Sequence, residues 1–174
     1  MIVQIHAYAP FSRANGPGVR SVVWFQGSPL ACPECFNPET HDPGGGHLSD
    51  TEILAGEILR KGQGIEGISL TGGEPFSQPE ALLDFVQRLK PSPLSILVFS
   101  GYEIAEIRQM PNGSAILNSL DILIAGPYDL TRPLGRSLLG SSNQTIHFLT
   151  NRYTYRDFKD IPSCEAIIHP DGVP

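Results

Sequence analysis

Cys32 and Cys35 lie three positions apart in a turn-rich stretch, Gly27-Ser28-Pro29-Leu30-Ala31-Cys32-Pro33-Glu34-Cys35-Phe36-Asn37. Thiolates are soft donors, and nearby proline and glycine let a short loop wrap a metal centre. The stretch departs from C-x3-C-x2-C at one position, where Ser28 stands in place of the first cysteine. Three thiolates so spaced hold three irons of a cubane cluster and leave the fourth iron open to a second ligand. A serine hydroxyl is hard to deprotonate and is a harder donor than a thiolate, so it suits such an iron poorly. The expected ligand set is therefore Ser28, Cys32 and Cys35, with a labile, incomplete or absent cluster. Gln26, Gly27, Pro29 and Asn37 still look adapted to the loop, so Ser28 reads as an isolated change.

A second segment, Ser69-Leu70-Thr71-Gly72-Gly73-Glu74-Pro75, ends a short apolar run. Glycines at a strand end let the backbone come close to a ligand. Exposed carbonyls and one carboxylate suit a ligand ammonium group, while the plainer alternative is a strand-to-helix turn. A different metal is also conceivable: Cys32 and Cys35 are followed by His41 and His47, and two thiolates with two imidazoles make a tetrahedral zinc set. His6, His147 and His169 read as structural or surface histidines, and Cys164 as a buried or incidental thiol.

These segments need elements to position them. Val19 to Phe25 is a β-rich run. Ser49-Asp50-Thr51-Glu52 is a capping-box pattern that opens a helix to about Lys61, ended by Gly62. Gly67 to Thr71 reads as a buried strand. Ser77-Gln78-Pro79-Glu80 is a second capping-box pattern, and its helix aligns Leu82, Phe85, Val86 and Leu89 on one face. Leu94 to Phe99 is another strand, followed by a short helix over Glu103 to Gln109. Asp121 to Ala125 and Gln144 to Leu149 complete the core strands, and Ala166 to Ile168 is a candidate edge strand. Repeated β-α-β units imply an α/β fold with a parallel sheet and crossover helices. In such folds ligands bind at the carboxyl ends of the strands. The cysteine loop and the Gly72-Gly73, Ser100-Gly101 and Gly126-Pro127 turns all follow strands, so they should converge at one end.

The chain has 174 residues, 40% hydrophobic and 17% charged, enough for one domain with a substantial core. No linker divides it, so residues 1–174 are read as a single domain, with the motifs in about 5–150 and a tail over about 151–174. Net charge is -6 with no block of Lys or Arg, so nucleic acid is not an expected partner. No apolar run approaches the ~20 residues of a membrane span, and no basic, then apolar, leader is visible. A cytoplasmic location is the resulting expectation.

Four motifs occur together and in order: Asn15-Gly16-Pro17-Gly18-Val19-Arg20, the cysteine loop through Asn37, Ser69 to Pro75, and Gly140-Ser141-Ser142-Asn143-Gln144. This combination resembles the radical S-adenosylmethionine (radical SAM) family. Over roughly residues 5 to 150 it is similar to the small activating enzymes of glycyl-radical enzymes, most of all those that serve anaerobic ribonucleotide reductase. The resemblance implies an incomplete parallel (β/α) barrel, a [4Fe-4S] cluster and S-adenosylmethionine (SAM) as cofactors, and a glycyl-radical enzyme as partner. Flavodoxin or ferredoxin would be the electron donor. It also implies that Gly72, Gly73, Glu74 and Pro75 hold the amino group of SAM; in that setting Phe36 packs on the adenine or in the core, Asn37 bonds near the adenosine or orders the loop, and Ser100 lines the pocket or caps a helix. Asn15 to Gly18 would border the partner's docking opening or simply lead into the first strand. Ser141 to Gln144 would contact the partner's glycyl loop. Two other readings stay open: a cluster-deficient protein that binds SAM or a partner without catalysis, and a radical SAM enzyme acting on another substrate.

Overall fold

The computed structural model describes residues 1–30, 32–35, 37–136 and 138–165. Its centre is four parallel strands: β2 (Arg20–Phe25), β4 (Gly67–Gly72), β5 (Ser95–Ser100) and β6 (Ile122–Ala125). They belong to a seven-stranded sheet. On one side β2 pairs antiparallel with β1 (Ile2–Ser12), which pairs antiparallel with β3 (His47–Asp50); on the other, β6 pairs antiparallel with β9 (Thr145–Phe148). The order is β3-β1-β2-β4-β5-β6-β9, an open sheet rather than a closed ring. A small ribbon, β7 (Pro133–Arg136) with β8 (Leu139–Ser141), lies between β6 and β9 in the chain.

The helices α1 (Thr51–Lys61), α2 (Pro79–Leu89), α3 (Ile104–Ile107) and α4 (Gly113–Leu117) all pack on one face of this sheet. Period-2 alternation sorts the strand side chains. Ile68 and Leu70, Ile96 and Val98, and Leu123 and Ala125 meet the helices. Leu97, Ile122 and Ile124 point the other way and are covered by Tyr153 and Phe158 from the segment after β9. Burial of both faces explains why these strands read as near-continuous apolar runs. Helices gathered on one face of an open, mostly parallel sheet give the α/β fold and incomplete barrel expected from the sequence. The candidate edge strand Ala166 to Ile168 lies outside the described residues.

Two helix starts differ from expectation. Asp50, not Ser49, caps α1, its carboxylate accepting from the backbone N–H of Glu52 and Ile53. α2 begins after Gln78, which makes no side-chain cap. Ser77 instead closes the preceding one-turn helix, donating its hydroxyl to the Glu74 carbonyl at 2.6 Å. The Gln78 side chain is drawn away to Gln4 and Gln26.

The amino end of the parallel strands is held by Arg20, whose side chain is fully buried. Its Nε donates to Ser69 Oγ at 2.8 Å, Nη1 to Ser95 Oγ at 2.9 Å and Pro17 O at 3.2 Å, and Nη2 to Ile68 O at 2.8 Å and Ser95 O at 3.1 Å. All five N–H groups are thereby used. Burial lowers the Arg20 pKa, opposed by Tyr153 and Glu66 nearby. The Tyr153 hydroxyl lies 2.6 Å from Glu66 Oε1 and 2.8 Å from Ser95 Oγ, which ties in the tail segment. Arg20→Met keeps the stem but strands several buried acceptors. It should lower unfolding free energy by on the order of 3 kcal/mol in urea titration. A change within about 0.5 kcal/mol, as at an ordinary surface site, would show that the node is not holding the sheet together.

Candidate iron–sulfur and ligand site

The opposite end of the sheet gathers the chemistry. β2 runs into the cysteine loop, β4 into Gly72-Gly73, β5 into Ser100-Gly101 and β6 into Gly126-Pro127. The first three, with Ile124 of β6 and Tyr128 beyond its turn, line a cavity of about 130 Å³. Ser28, Cys32, Cys35, Asn37, Gly72, Gly73, Glu74 and Ser100 all line it. Pro75 does not. It is buried as the first residue of a one-turn 3-10 helix, Pro75–Ser77, where its fixed φ suits the start. Phe36 lies outside the described residues. The Asn15 to Gly18 turn leads into the amino end of β2 and does not line this cavity.

The cysteine loop is closed at its base by backbone bonds. Gly27 N donates to Thr40 O at 2.8 Å and Ser28 N to His41 O at 3.2 Å. At the tip, Glu34 adopts a left-handed φ of 51° between the two cysteines. A non-glycine residue there carries local strain. Cys35 Sγ accepts from Asn37 N at 3.5 Å, and Ser28 Oγ accepts from Leu30 N at 3.4 Å. Each side-chain acceptor thus faces the N–H two residues on, which places the serine oxygen in the same local relation as the cysteine sulfur.

The glycine turn lies against this base. Gly72 has φ +100, and a Cβ on it would stand 2.5 Å from Phe25 O. A Cβ on Gly73 would stand 2.3 Å from Gly27 O and 2.9 Å from Thr40 O. Only glycine permits this approach. Gly73 N donates to Phe25 O and Glu74 N to Gly27 O, both at 2.9 Å.

Glu74 has no exposed surface. Its Oε1 accepts from Phe76 N at 2.9 Å and its Oε2 from Gly101 N at 2.8 Å, with Ser100 Oγ at 3.0 and 3.1 Å from the two oxygens. The carboxyl therefore braces the end of β4 to the end of β5 as well as walling the cavity. Burial pushes it up to about 7, against the lowering effect of the bonds from Phe76, Gly101 and Ser100.

Several wall residues were given no role of their own from sequence: Leu30, Thr71, Phe99, Ile124 and Tyr128, while Gln144, expected at the partner's glycyl loop, lines the same cavity. Tyr128 follows the Gly126-Pro127 turn, whose convergence was expected, and Gln144 closes the last motif. Gln144 Oε1 accepts from Gly140 N at 2.8 Å, and its Nε2 donates to Gly126 O at 3.0 Å, so it joins the final loop to β6. The zinc set is not assembled. His41 shares the cavity, but His47 opens β3, exposed and paired with Ile5. Among the described residues no three His, Cys, Asp or Glu side chains form a metal-holding group.

A thiol-bearing loop facing a glycine–carboxylate turn across the carboxyl ends of parallel strands defines a class, an iron–sulfur protein of α/β type with an adjoining ligand cavity. Residues 14–147 match the model of the family described as "4Fe-4S single cluster domain". An anaerobic ribonucleoside-triphosphate reductase-activating protein of Pasteurella multocida is 32% identical over 153 residues, covering 82% of this chain and 96% of that one. Its counterpart from Enterobacteria phage T4 is 28% identical over 145 residues, covering 79% and 88%. A pyruvate formate-lyase-activating enzyme of Clostridium pasteurianum is 36% identical over 91 residues, half of this chain but only 38% of that enzyme's length. The chain belongs to the 4Fe-4S single cluster domain family, among the radical SAM activases of glycyl-radical enzymes. The cofactors of that family are a [4Fe-4S] cluster and SAM. Two thiols beside a turn whose glycines leave no side chain in the way fit these cofactors in place, and the Ser28 hydroxyl on the same cavity is the poor match among them.

The raised Glu74 carboxyl gives a signed pH effect. A carboxyl that holds its proton in the folded state up to about 7, against 4.5 ordinarily, stabilises fully below about 4.5 and loses that contribution as pH rises through 7. The full span is at most roughly 3 kcal/mol. Glu74→Gln should be less stable overall, because an amide N–H would face a backbone donor, yet should lack this decline between pH 5 and 8. Parallel declines in the two proteins, read by urea unfolding, would show that Glu74 does not titrate in that window.

Proposed function

We propose that this chain is a SAM-dependent activase that generates a glycyl radical on a partner enzyme, with a cluster site weakened by Ser28. The observation that carries this reading is the convergence of Ser28, Cys32 and Cys35 with Gly72, Gly73 and Glu74 on one cavity. In this reading Cys32 and Cys35 hold two irons and the Ser28 oxygen stands at the third. When bound there, the cluster supplies the electron that cleaves SAM reductively. The chain's own part is positional. Gly72 and Gly73 let the backbone stand beside the SAM amino group, and Glu74 sets their distance from the β5 turn. Asn37 and Ser100 border the nucleoside, and Phe36 is assigned beside the adenine. Apolar wall residues, Leu30, Phe99 and Ile124, would limit water beside a bound SAM.

The partner is assigned as an anaerobic ribonucleotide reductase, because the chain spans 96% and 88% of the two activating proteins of that reductase and only 38% of the pyruvate formate-lyase-activating enzyme. Flavodoxin or ferredoxin is assigned as the electron donor, and the setting as cytoplasmic. No helix among the described residues is long and apolar enough to cross a membrane.

Ser28 itself favours a second reading, a protein that binds SAM or its partner without catalysis. The two separate cleanly. After anaerobic reconstitution, Ser28→Cys should hold about four irons per chain and release 5′-deoxyadenosine from SAM under reducing conditions, while the Ser28 form holds fewer irons and releases less. Calorimetric SAM binding by metal-free protein, with no SAM cleavage by iron-loaded Ser28→Cys, would replace the first reading by the second.

A further inference from the structure

Gln26, the residue between β2 and the cysteine loop, is 2% exposed and has no part in the chemistry assigned above. Its side chain nevertheless touches the loop at two points. Nε2 donates to Glu39 O at 3.1 Å and to Asp42 O at 2.7 Å. These carbonyls flank Thr40 and His41, the two residues that receive the backbone bonds of Gly27 and Ser28. Oε1 faces His6 Nδ1 at 3.1 Å. With both Nε2 hydrogens on carbonyls, Oε1 is the acceptor, so His6 Nδ1 carries a proton. The Gln26 backbone is held as firmly, its N donating to Gln4 O at 3.1 Å and its O accepting from Gln78 Nε2 at 3.0 Å. The fit is close on the loop side too, where a Cβ on Gly45 would stand 2.7 Å from Gln26 Nε2.

We propose that Gln26 is a positioning residue for the iron-binding loop. Its amide clamps the return arm, residues 39–42, to the end of β2, and so fixes the separation at which residues 28, 32 and 35 present their donor atoms. His6 orients the amide. If the amide turned over, Oε1 would meet two carbonyl oxygens, and the His6 N–H would meet an NH2 group. The amide is the right group for this task because two convergent carbonyls need a double donor. A carboxylate there would be repelled by both. The inference rests on the iron-binding reading above, and its effect should resemble that of other outer contacts of metal ligands, roughly 10-fold or more in metal retention.

The test uses Gln26→Met, which keeps length and loses both donors, and His6→Phe, which loses only the orienting N–H. Both are made in the full chain, alone and with Ser28→Cys. In metal-free protein, Gln26→Met should exchange the Gly27 and Ser28 amide hydrogens several-fold faster and expose Cys32 and Cys35 to a maleimide more quickly, with Cys164 as the unchanged internal reference. His6→Phe should do the same to a smaller extent. With Ser28→Cys, Gln26→Met should lose iron to a chelator roughly 10-fold faster. Val86→Ala, a core change in α2, controls for general destabilisation and should alter the melting temperature without altering the ratio of Cys32/Cys35 to Cys164 labelling. Unchanged exchange and labelling in folded Gln26→Met would overturn the proposal. If Gln26→Met does not fold, unchanged exchange and labelling in His6→Phe would do so. Failure of Ser28→Cys alone to take up iron would count against the functional reading and leave the metal-free measurements to judge Gln26.

Discussion

The peptide of Gly27 is the contact on which the site depends. Its N–H reaches Thr40 on the return arm of the cysteine loop, and its carbonyl accepts from Glu74 N in the turn after β4. Gly73 packs directly on that carbonyl, at a distance no side chain would allow. One backbone unit therefore joins the loop that carries the thiols to the turn that carries the carboxylate. Glu74 extends the connection to β5 through Ser100 and Gly101, and Gln144 extends the same rim to β6. The cavity is thus framed by backbone contacts between adjacent strand ends, and its shape is set before any cofactor arrives. Preorganisation of this kind is what a site needs if its ligand is to be held in one orientation.

The two ends of the sheet divide the work. Arg20, Ser69, Ser95 and Tyr153 lock the amino ends of the strands with a saturated set of hydrogen bonds. The carboxyl ends hold a left-handed, strained Glu34, the close-packed glycines Gly72 and Gly73, and a buried carboxyl whose pKa burial raises to about 7. Stability is concentrated where no chemistry is expected, which leaves the other end free to keep unfavourable local arrangements. Ser28 fits within this frame without disturbing it. Its N–H still pairs with His41 O, and its hydroxyl still faces an N–H two residues on. In the proposed reading Ser28 therefore keeps the backbone contacts of the loop while offering iron a harder donor than a thiolate would.

Much of this was legible in the sequence. Strong periodic runs located β2, β4, β5, β6 and α2, and the turns after them were placed at one end because parallel strands leave no alternative. The glycines of Gly72-Gly73 were legible because a glycine pair at a strand end has few other uses. β1 and β3 were not read, since their pairing is antiparallel and their alternation is blurred by partial burial along β1. α3 was read, as a short helix over Glu103 to Gln109, whereas α4 was not; it forms barely more than a turn, too short for a 3.6-residue pattern to emerge. The caps of α1 and α2 were misplaced because Asp50 competes successfully with Ser49, and because Ser77 is taken up by the turn before α2. Glu74 was read as a ligand-facing carboxylate. Its role as a brace between β4 and β5 needs the positions of Ser100 and Gly101, which lie 26 and 27 residues away and carry no sequence signal of the contact.

The central claim is that the loop between β2 and the Pro38–Thr40 turn is where iron sits, against the wall formed by Gly72, Gly73 and Glu74. The most direct measurement is an anomalous-difference map at the iron edge from crystals of anaerobically reconstituted Ser28→Cys protein grown with SAM. The account predicts one compact iron peak beside Cys32 and Cys35, with SAM density between it and the Gly72-Gly73 turn. Iron at Cys164 or at the histidines alone, or SAM bound elsewhere on the sheet, would contradict it.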